Sequence, residues 1–181
     1  HFDYFSKYCV ENNIDYEIKG SDYNISKTFG LDRKEELDFW DEYLDLYATK
    51  EKARAFASEV IKKLKADGNE IFIITARWQT NRDDILGEKA RKAVVNWLEE
   101  NNIVYDKLIF SRAKKEKKKD EIKENNVDIM IEDSPNNIIE LSELIPVICY
   151  DASYNKDCEN KNIIRCYSWY DIYRKISLIK K

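Results

Sequence analysis

Apolar positions recur along this chain in two rhythms, one helical and one of short unbroken runs. Phe2, Phe5 and Cys9 fall on one helical face. Asp32-Arg33-Lys34-Glu35 fits a capping box, after which Leu37, Trp40, Leu44 and Tyr47 recur at helical spacing. Ala53, Phe56, Ala57, Val60, Ile61 and Leu64 form a cleaner stripe. It predicts a helix ending at Asp67-Gly68, since glycine accepts the left-handed conformation of a helix C-cap. The polar stretch 14–31 reads as loop.

From Glu70 onward the two rhythms alternate. Glu70–Thr75 (EIFIIT) is a β-branched apolar run of buried-strand type. Ile85 to Glu100 reads as a helix with Leu86, Ala90, Ala93, Val94 and Trp97 facing inward. Lys107–Phe110 predicts a short strand and Lys114–Asn125 a lysine-rich, mostly exposed helix carrying Ile122. Val127–Ile131 (VDIMI) predicts a second buried strand, and Ser134-Pro135 supplies an N-cap and N1 pair for a short helix. Pro146–Tyr150 and Asn162–Cys166 follow as strands, and Ser168 to Asp171 cap a last helix carrying Ile172, Tyr173, Ile176 and Ile179. Strands that alternate with helices pair in parallel, so the expected fold is α/β, a doubly wound, Rossmann-like parallel sheet.

Composition narrows the function. With 181 residues, 43% of them hydrophobic, the chain suits one domain or one domain with a small insert, and bulk disorder is excluded. Lys and Arg number 31 against 35 Asp and Glu, a balance of −4 that does not suit a dedicated duplex-DNA binder. No apolar run reaches the roughly 18 residues of a membrane span. The chain has four glycines and neither a GxGxxG nor a GxxxxGK[ST] loop, so phosphate binding by a glycine-rich loop is excluded. Four cysteines without a CxxC pair, beside the single histidine His1, do not suggest zinc. They read as free thiols in a reducing compartment, and a cytoplasmic location is expected.

In open α/β sheets ligands bind beyond the carboxyl ends of the strands. The residues that leave the strands there are Thr75-Ala76-Arg77-Trp78, Glu132-Asp133-Ser134 and Asp151. Carboxylates suit Mg²⁺, whereas a threonine hydroxyl and an arginine fork suit phosphate oxygens. The combination suggests phosphoryl transfer. Simpler readings stand beside it: Thr75 as a turn residue, Arg77 paired on the surface with Asp83 or Asp84, and Asp151 as a turn residue. The adjacent acids Glu132 and Asp133 resist such a reading, because neighbouring carboxylates repel unless a cation or donor compensates. The basic cluster of Arg112, Lys114, Lys115, Lys117, Lys118 and Lys119 is interrupted by Glu116, lacks aromatics and fits a solvated helix face. One of Lys117, Lys118 and Lys119 is available to turn into the crevice. Tyr4, Phe5, Tyr8, Phe39, Trp40, Tyr43, Tyr47 and Phe56 fit core packing of a small helical unit, with one or two left for stacking on a nucleobase.

These residues resemble the haloacid-dehalogenase-like (HAD) hydrolases, and within them the bacterial nucleotidases related to 5′(3′)-deoxyribonucleotidases. Phe72–Arg77 (FIITAR) resembles the second motif of that family, and Ile129–Pro135 (IMIEDSP) the fourth. The resemblance implies a Mg²⁺-dependent phosphomonoesterase that hydrolyses nucleoside monophosphates through an aspartyl-phosphate. It implies that Thr75 and Lys118 are catalytic, that Arg77 and Trp78 border the substrate, and that Asp133 and Glu132 serve the metal. It implies a small helical cap with its return helix over residues 1–66 and an α/β core over 67–181 lacking its first strand. The family's first motif, Asp-x-Asp-x-Thr, is absent from the chain, which opens on His1 rather than Met. Its nucleophile is therefore expected upstream of His1, and residues 1–181 alone are expected to be inactive. The implied partner is a small phosphate monoester, with neither nucleic acid nor membrane. The alternative is a catalytically inactive protein of this fold that binds a phosphorylated ligand or a partner. A nucleic-acid module built on the lysine helix is a third reading.

Overall fold

A computed structural model describes residues 2–111 and 117–179, with backbone alone for 44–49 and 117. The helices in chain order are α1 (Phe2–Glu11), α2 (Ile25–Thr28), α3 (Arg33–Lys50), α4 (Ala57–Ala66), α5 (Ile85–Glu100), α6 (Lys117–Glu124), α7 (Pro135–Ser142) and α8 (Trp169–Ile179). The strands are β1 (Phe72–Thr75), β2 (Lys107–Phe110), β3 (Met130–Glu132), β4 (Val147–Tyr150) and β5 (Ile163–Cys166). Every pairing among them is parallel, as alternation with helices requires. Among the described residues the strands form two sheets rather than one, β1 with β2 and β3-β4-β5 with β4 in the centre.

Successive strand residues face opposite sides of a sheet, and the packing follows that alternation. Ile129, Ile131, Ile148 and Ile164 meet Val60 and Leu64 of α4 and Ile172 and Ile176 of α8. Met130, Val147, Cys149 and Ile163 face the other way, onto Ile122 of α6 and Ile138 and Leu141 of α7. Helices thus cover both faces of the three-stranded sheet. Ile71, Ile73, Leu108 and Phe110 pack on Ala57 and Ile61 of α4 and on Val94 and Leu98 of α5. α4 therefore backs both sheets.

α1, α2 and α3 close a separate aromatic cluster of Phe5, Tyr8, Phe29, Phe39 and Tyr43. Phe5 meets Phe29 and Phe39 edge-on at 4.9 and 5.0 Å, a geometry that aligns ring edges with ring faces. Most of the aromatics singled out in the sequence are thus committed to packing. Arg112, Lys114 and Lys115, and the side chains of Leu44, Tyr47 and Lys117, lie outside the described residues.

Several local expectations shift. The stretch 14–31 contains the single turn α2, at which buried Glu36 of α3 accepts from the Ser26 N–H and hydroxyl at 3.1 and 2.7 Å. The buried face of α3 carries Glu36, Phe39 and Tyr43, while Leu37 is exposed. α4 starts at Ala57; Phe56 precedes it in the left-handed region (φ 66°) with its ring exposed. Asp67-Gly68 ends α4 as expected, with the Gly68 N–H on the Lys65 carbonyl and the Asn69 N–H on the Leu64 carbonyl. On α5, Leu86 is exposed and Gly87 is buried in its place, because a β-carbon there would lie 2.0 Å from the Arg82 carbonyl oxygen. Cys9, Cys149, Cys158 and Cys166 are buried free thiols. Among the described residues, no helix is long and apolar enough to cross a membrane.

Candidate active site

β3 ends on Glu132, and Asp133 and Ser134 lead from it into α7, where Ser134 is the N-cap and Pro135 takes N1. The Ser134 hydroxyl makes no capping bond. The two free N–H groups at this turn, those of Asp133 and Ser134, instead donate to Glu132 Oε1, each at 3.0 Å. Glu132 Oε2 accepts from Lys118 Nζ of α6 at 2.5 Å and from Asn137 Nδ2 at 3.1 Å. Both oxygens of a nearly buried carboxylate are therefore committed. Burial is the largest influence on this carboxyl and pushes its pKa up; the Lys118 charge, its hydrogen bond and the two N–H donors together outweigh it. The net effect holds Glu132 below the ordinary glutamate range.

That direction carries a pH dependence. A carboxyl whose pKa is lower in the folded state contributes stability above its unfolded pKa, about 4.3, and loses it as pH falls through the folded value. The urea midpoint should therefore drop more steeply below about pH 4 in the wild type than in Glu132→Gln. Parallel curves for the two proteins over that window would remove Glu132 from the acid response.

Asp133 differs from its neighbour. Its Oδ2 accepts from the Tyr154 hydroxyl at 2.6 Å, and its backbone carbonyl accepts from Asn155 Nδ2 at 2.9 Å. No hydrogen bond among the described residues reaches its Oδ1. Burial first, and then the Asp133 carboxylate, push the Tyr154 phenol well above its usual range. Tyr154 therefore stays a proton donor at neutral pH. Neither Tyr154 nor Asn155 was read as a site residue from the sequence. The available signal was their position just beyond β4, at the carboxyl end where ligands collect.

The other expected residues fall into two groups. Lys118 bonds to Glu132, whereas Lys119 pairs with Glu143, the C-cap residue of α7, at 3.0 Å. Thr75, Arg77 and Trp78 stand at the carboxyl end of β1, on the other sheet. The Thr75 carbonyl accepts from the Ser111 N–H at 2.8 Å, and its hydroxyl has no hydrogen bond among the described residues. The Arg77 carbonyl closes the turn Trp78–Asn81 by accepting from the Thr80 hydroxyl at 2.7 Å. Asp84 is engaged elsewhere: it binds Arg82 at 2.6 Å and caps α5 through the Gly87 N–H, and these hold its carboxyl down at about 2. Asp151 pairs with Arg165 and Lys156 at 2.9 and 2.6 Å, the bracing role of a turn residue. Arg54, before α4, lays its guanidinium 4.4 Å from the centre of the Tyr150 ring and was also missed.

Among the described residues no group of three or more His, Cys, Asp or Glu side chains is arranged to hold a metal. Mg²⁺ asks for less, since it is held through one or two carboxylates with water and phosphate oxygens completing the octahedron. Asp133 with its open Oδ1 fits that demand; Glu132, saturated by donors, does not.

The family described as 5′ nucleotidase, deoxy (pyrimidine), cytosolic type C protein matches residues 40–181. A nucleotidase of Clostridium acetobutylicum is 30% identical over 158 residues, covering 87% of this chain and 76% of that protein. A protein of Chlorobaculum tepidum, provisionally named a 5′(3′)-deoxyribonucleotidase, is 31% identical over 121 residues, covering 66% of this chain and 53% of that protein. A provisionally named nucleotidase of Bacillus subtilis is 28% identical over 153 residues, covering 82% of this chain and 72% of that protein. No solved structure gives a significant match. The family match spans well over half of the chain and takes in every residue of the β1 and β3 turns, so this chain belongs to the HAD-like 5′ nucleotidase family.

Proposed function

We propose that the protein is a Mg²⁺-dependent phosphomonoesterase that hydrolyses nucleoside monophosphates in the cytoplasm. Family membership supports hydrolysis of nucleotides in general; the finer reading is carried by the contrast between its two acids. Glu132 has both oxygens committed to donors, while Asp133 keeps Oδ1 open at a strand end. In this reading Asp133 holds Mg²⁺, and Glu132 orients Lys118 without touching the metal. The bound cation supplies charge neutralisation at the phosphoryl oxygens. The Thr75 hydroxyl donates to one phosphate oxygen, and the remaining Lys118 N–H groups offset the charge that develops on the others. Arg77 and Trp78 border the rest of the nucleotide.

The nucleophile in this reading is an aspartate on a segment upstream of His1. It attacks phosphorus, the ester oxygen leaves, and water then cleaves the aspartyl-phosphate. Support comes from the sheets. β1 is hydrogen-bonded only to β2 and β3 only to β4 among the described residues, yet both strands back onto α4. The residues of β1 and β3 are all half-buried, whereas Val147, Ile148 and Cys149 of central β4 are 0% exposed. A further parallel strand between β1 and β3 would cover those edges and bring its own carboxyl end beside Thr75 and Asp133.

The test is phosphate release from deoxynucleoside and ribonucleoside monophosphates by the protein as its own cell makes it, together with its N-terminal sequence. Release should stop on addition of EDTA and return with Mg²⁺, and an apolar run ending in aspartate should precede His1. Release that survives EDTA would overturn the metal. No release, with no such aspartate upstream, would favour the inactive phosphate-binding protein.

A further inference from the structure

The turn Ser153–Asn155 beyond β4 contacts two parts of the molecule at once. Asn155 Nδ2 donates to the Asp133 and Tyr150 carbonyls, both at 2.9 Å, which fixes the turn to the ends of β3 and β4. The Asn155 Oδ1 in turn accepts from the Ala152 N–H at 3.1 Å and from Arg165 at 3.0 Å. Tyr154 donates its hydroxyl to Asp133 Oδ2 at 2.6 Å. On its other side the turn meets the helical unit of α1 to α3. Ser21 Oγ donates to Ser153 Oγ at 2.6 Å, and the Tyr23 ring meets the Tyr154 ring edge-on at 5.5 Å. The segment that supplies Ser21 and Tyr23 is itself fixed: the Asp22 N–H donates to Thr28 Oγ1 and the Asn24 N–H to Asp22 Oδ1, both at 2.8 Å.

We infer that Tyr154 is a positioning residue, which orients the Asp133 carboxylate for Mg²⁺ and makes that orientation depend on the seating of residues 21–23 of the helical unit. The inference rests on the reading that Asp133 holds the metal. With Oδ2 fixed by a phenol, Oδ1 presents one direction instead of rotating about the side-chain torsion. A carboxylate that meets its cation already oriented loses less freedom on binding. Displacement of the helical unit from the turn removes the Tyr23 and Ser21 contacts from the same residue that holds Asp133. Metal affinity and seating of the helical unit are then linked, each favouring the other by the same factor.

The experiment measures the Mg²⁺ concentration for half-maximal phosphate release, and Mg²⁺ binding by calorimetry, on the full-length protein and two variants. Tyr154→Phe keeps the ring against Tyr23 and removes only the hydroxyl. It should raise the half-saturating Mg²⁺ about tenfold, with kcat at saturating Mg²⁺ and the metal-free melting temperature little changed. Tyr23→Ala keeps the Tyr154 hydroxyl and removes the ring contact between the helical unit and Tyr154; it should raise the same concentration about fivefold. Wild-type Mg²⁺ dependence in Tyr154→Phe would overturn the positioning role. An effect of Tyr154→Phe without one of Tyr23→Ala would overturn the link to the helical unit. A wild-type protein that neither binds Mg²⁺ nor needs it would instead overturn the reading of Asp133 beneath both.

Discussion

Replacing Asp133 by Asn in the full-length protein is expected to lower Mg²⁺-dependent phosphate release by at least about a thousandfold, the scale of several kcal/mol of lost charge stabilisation. The substitution is nearly isosteric, and the fold around it should tolerate it. The amide oxygen of an asparagine can still accept from the Tyr154 hydroxyl, and the backbone carbonyl still accepts from Asn155. What disappears is the negative charge at the position of the open Oδ1. The metal-free melting temperature should therefore stay within a few degrees of wild type, while calorimetry shows Mg²⁺ binding lost. Unchanged Mg²⁺-dependent release by Asp133→Asn would sink the metal assignment. Loss of release together with loss of the folded state would transfer the effect from chemistry to structure.

The parts of the molecule legible in the sequence are those fixed by neighbours along the chain. Lys107–Phe110 was readable as a strand to the residue, because its apolar run is too short for a helix and lies between polar segments. Asp67-Gly68 and Ser168 with Asp171 mark helix ends through bonds that span only a few residues; the Asp171 N–H does meet Ser168 Oγ, at 3.2 Å. The failures are non-local. α2 has no side-chain bond from its own N-cap, Asn24, and takes it from Glu36 on another helix, a partner that no local pattern names. On α3 the expected stripe was Leu37, Trp40, Leu44 and Tyr47, whereas Phe39 and Tyr43 carry the buried face through ring contacts with Phe5 and Tyr8 of α1, which no local pattern names.

The site divides in the same way. Glu132 and Asp133 stood out because adjacent carboxylates at a strand end demand compensation, and the compensation is present in Lys118, Asn137 and two N–H groups. The different fates of the two acids were not readable, since they depend on which side of the chain each donor approaches. Tyr154 carries no local mark of its role, because its bond to Asp133 joins residues 21 positions apart in the chain. The arrangement of the strands as two sheets was not readable either. Alternation with helices fixes parallel pairing but not which strand lies beside which.

In the proposed function the pair of Lys118 and Glu132 joins stability to catalysis, and the two can be separated. Their side chains are only 16% and 9% exposed, so removing one partner leaves the other charge largely cut off from water. Lys118→Met should therefore cost about 3 kcal/mol of folding stability, the lower end of the range for breaking a buried pair. Adding Glu132→Gln to it removes the stranded charge while the amide oxygen can still accept from the Asp133 and Ser134 N–H groups. The double variant should recover at least half of that loss, read from urea midpoints at neutral pH. Phosphate release should not recover with it, because the ammonium group proposed to offset phosphoryl charge is still missing. A double variant that regains both stability and turnover would make Lys118 a brace for the β3 turn and nothing more. One that regains neither would show that Glu132 has a role beyond holding the lysine, with the donors of Asp133, Ser134 and Asn137 as the place to look for it.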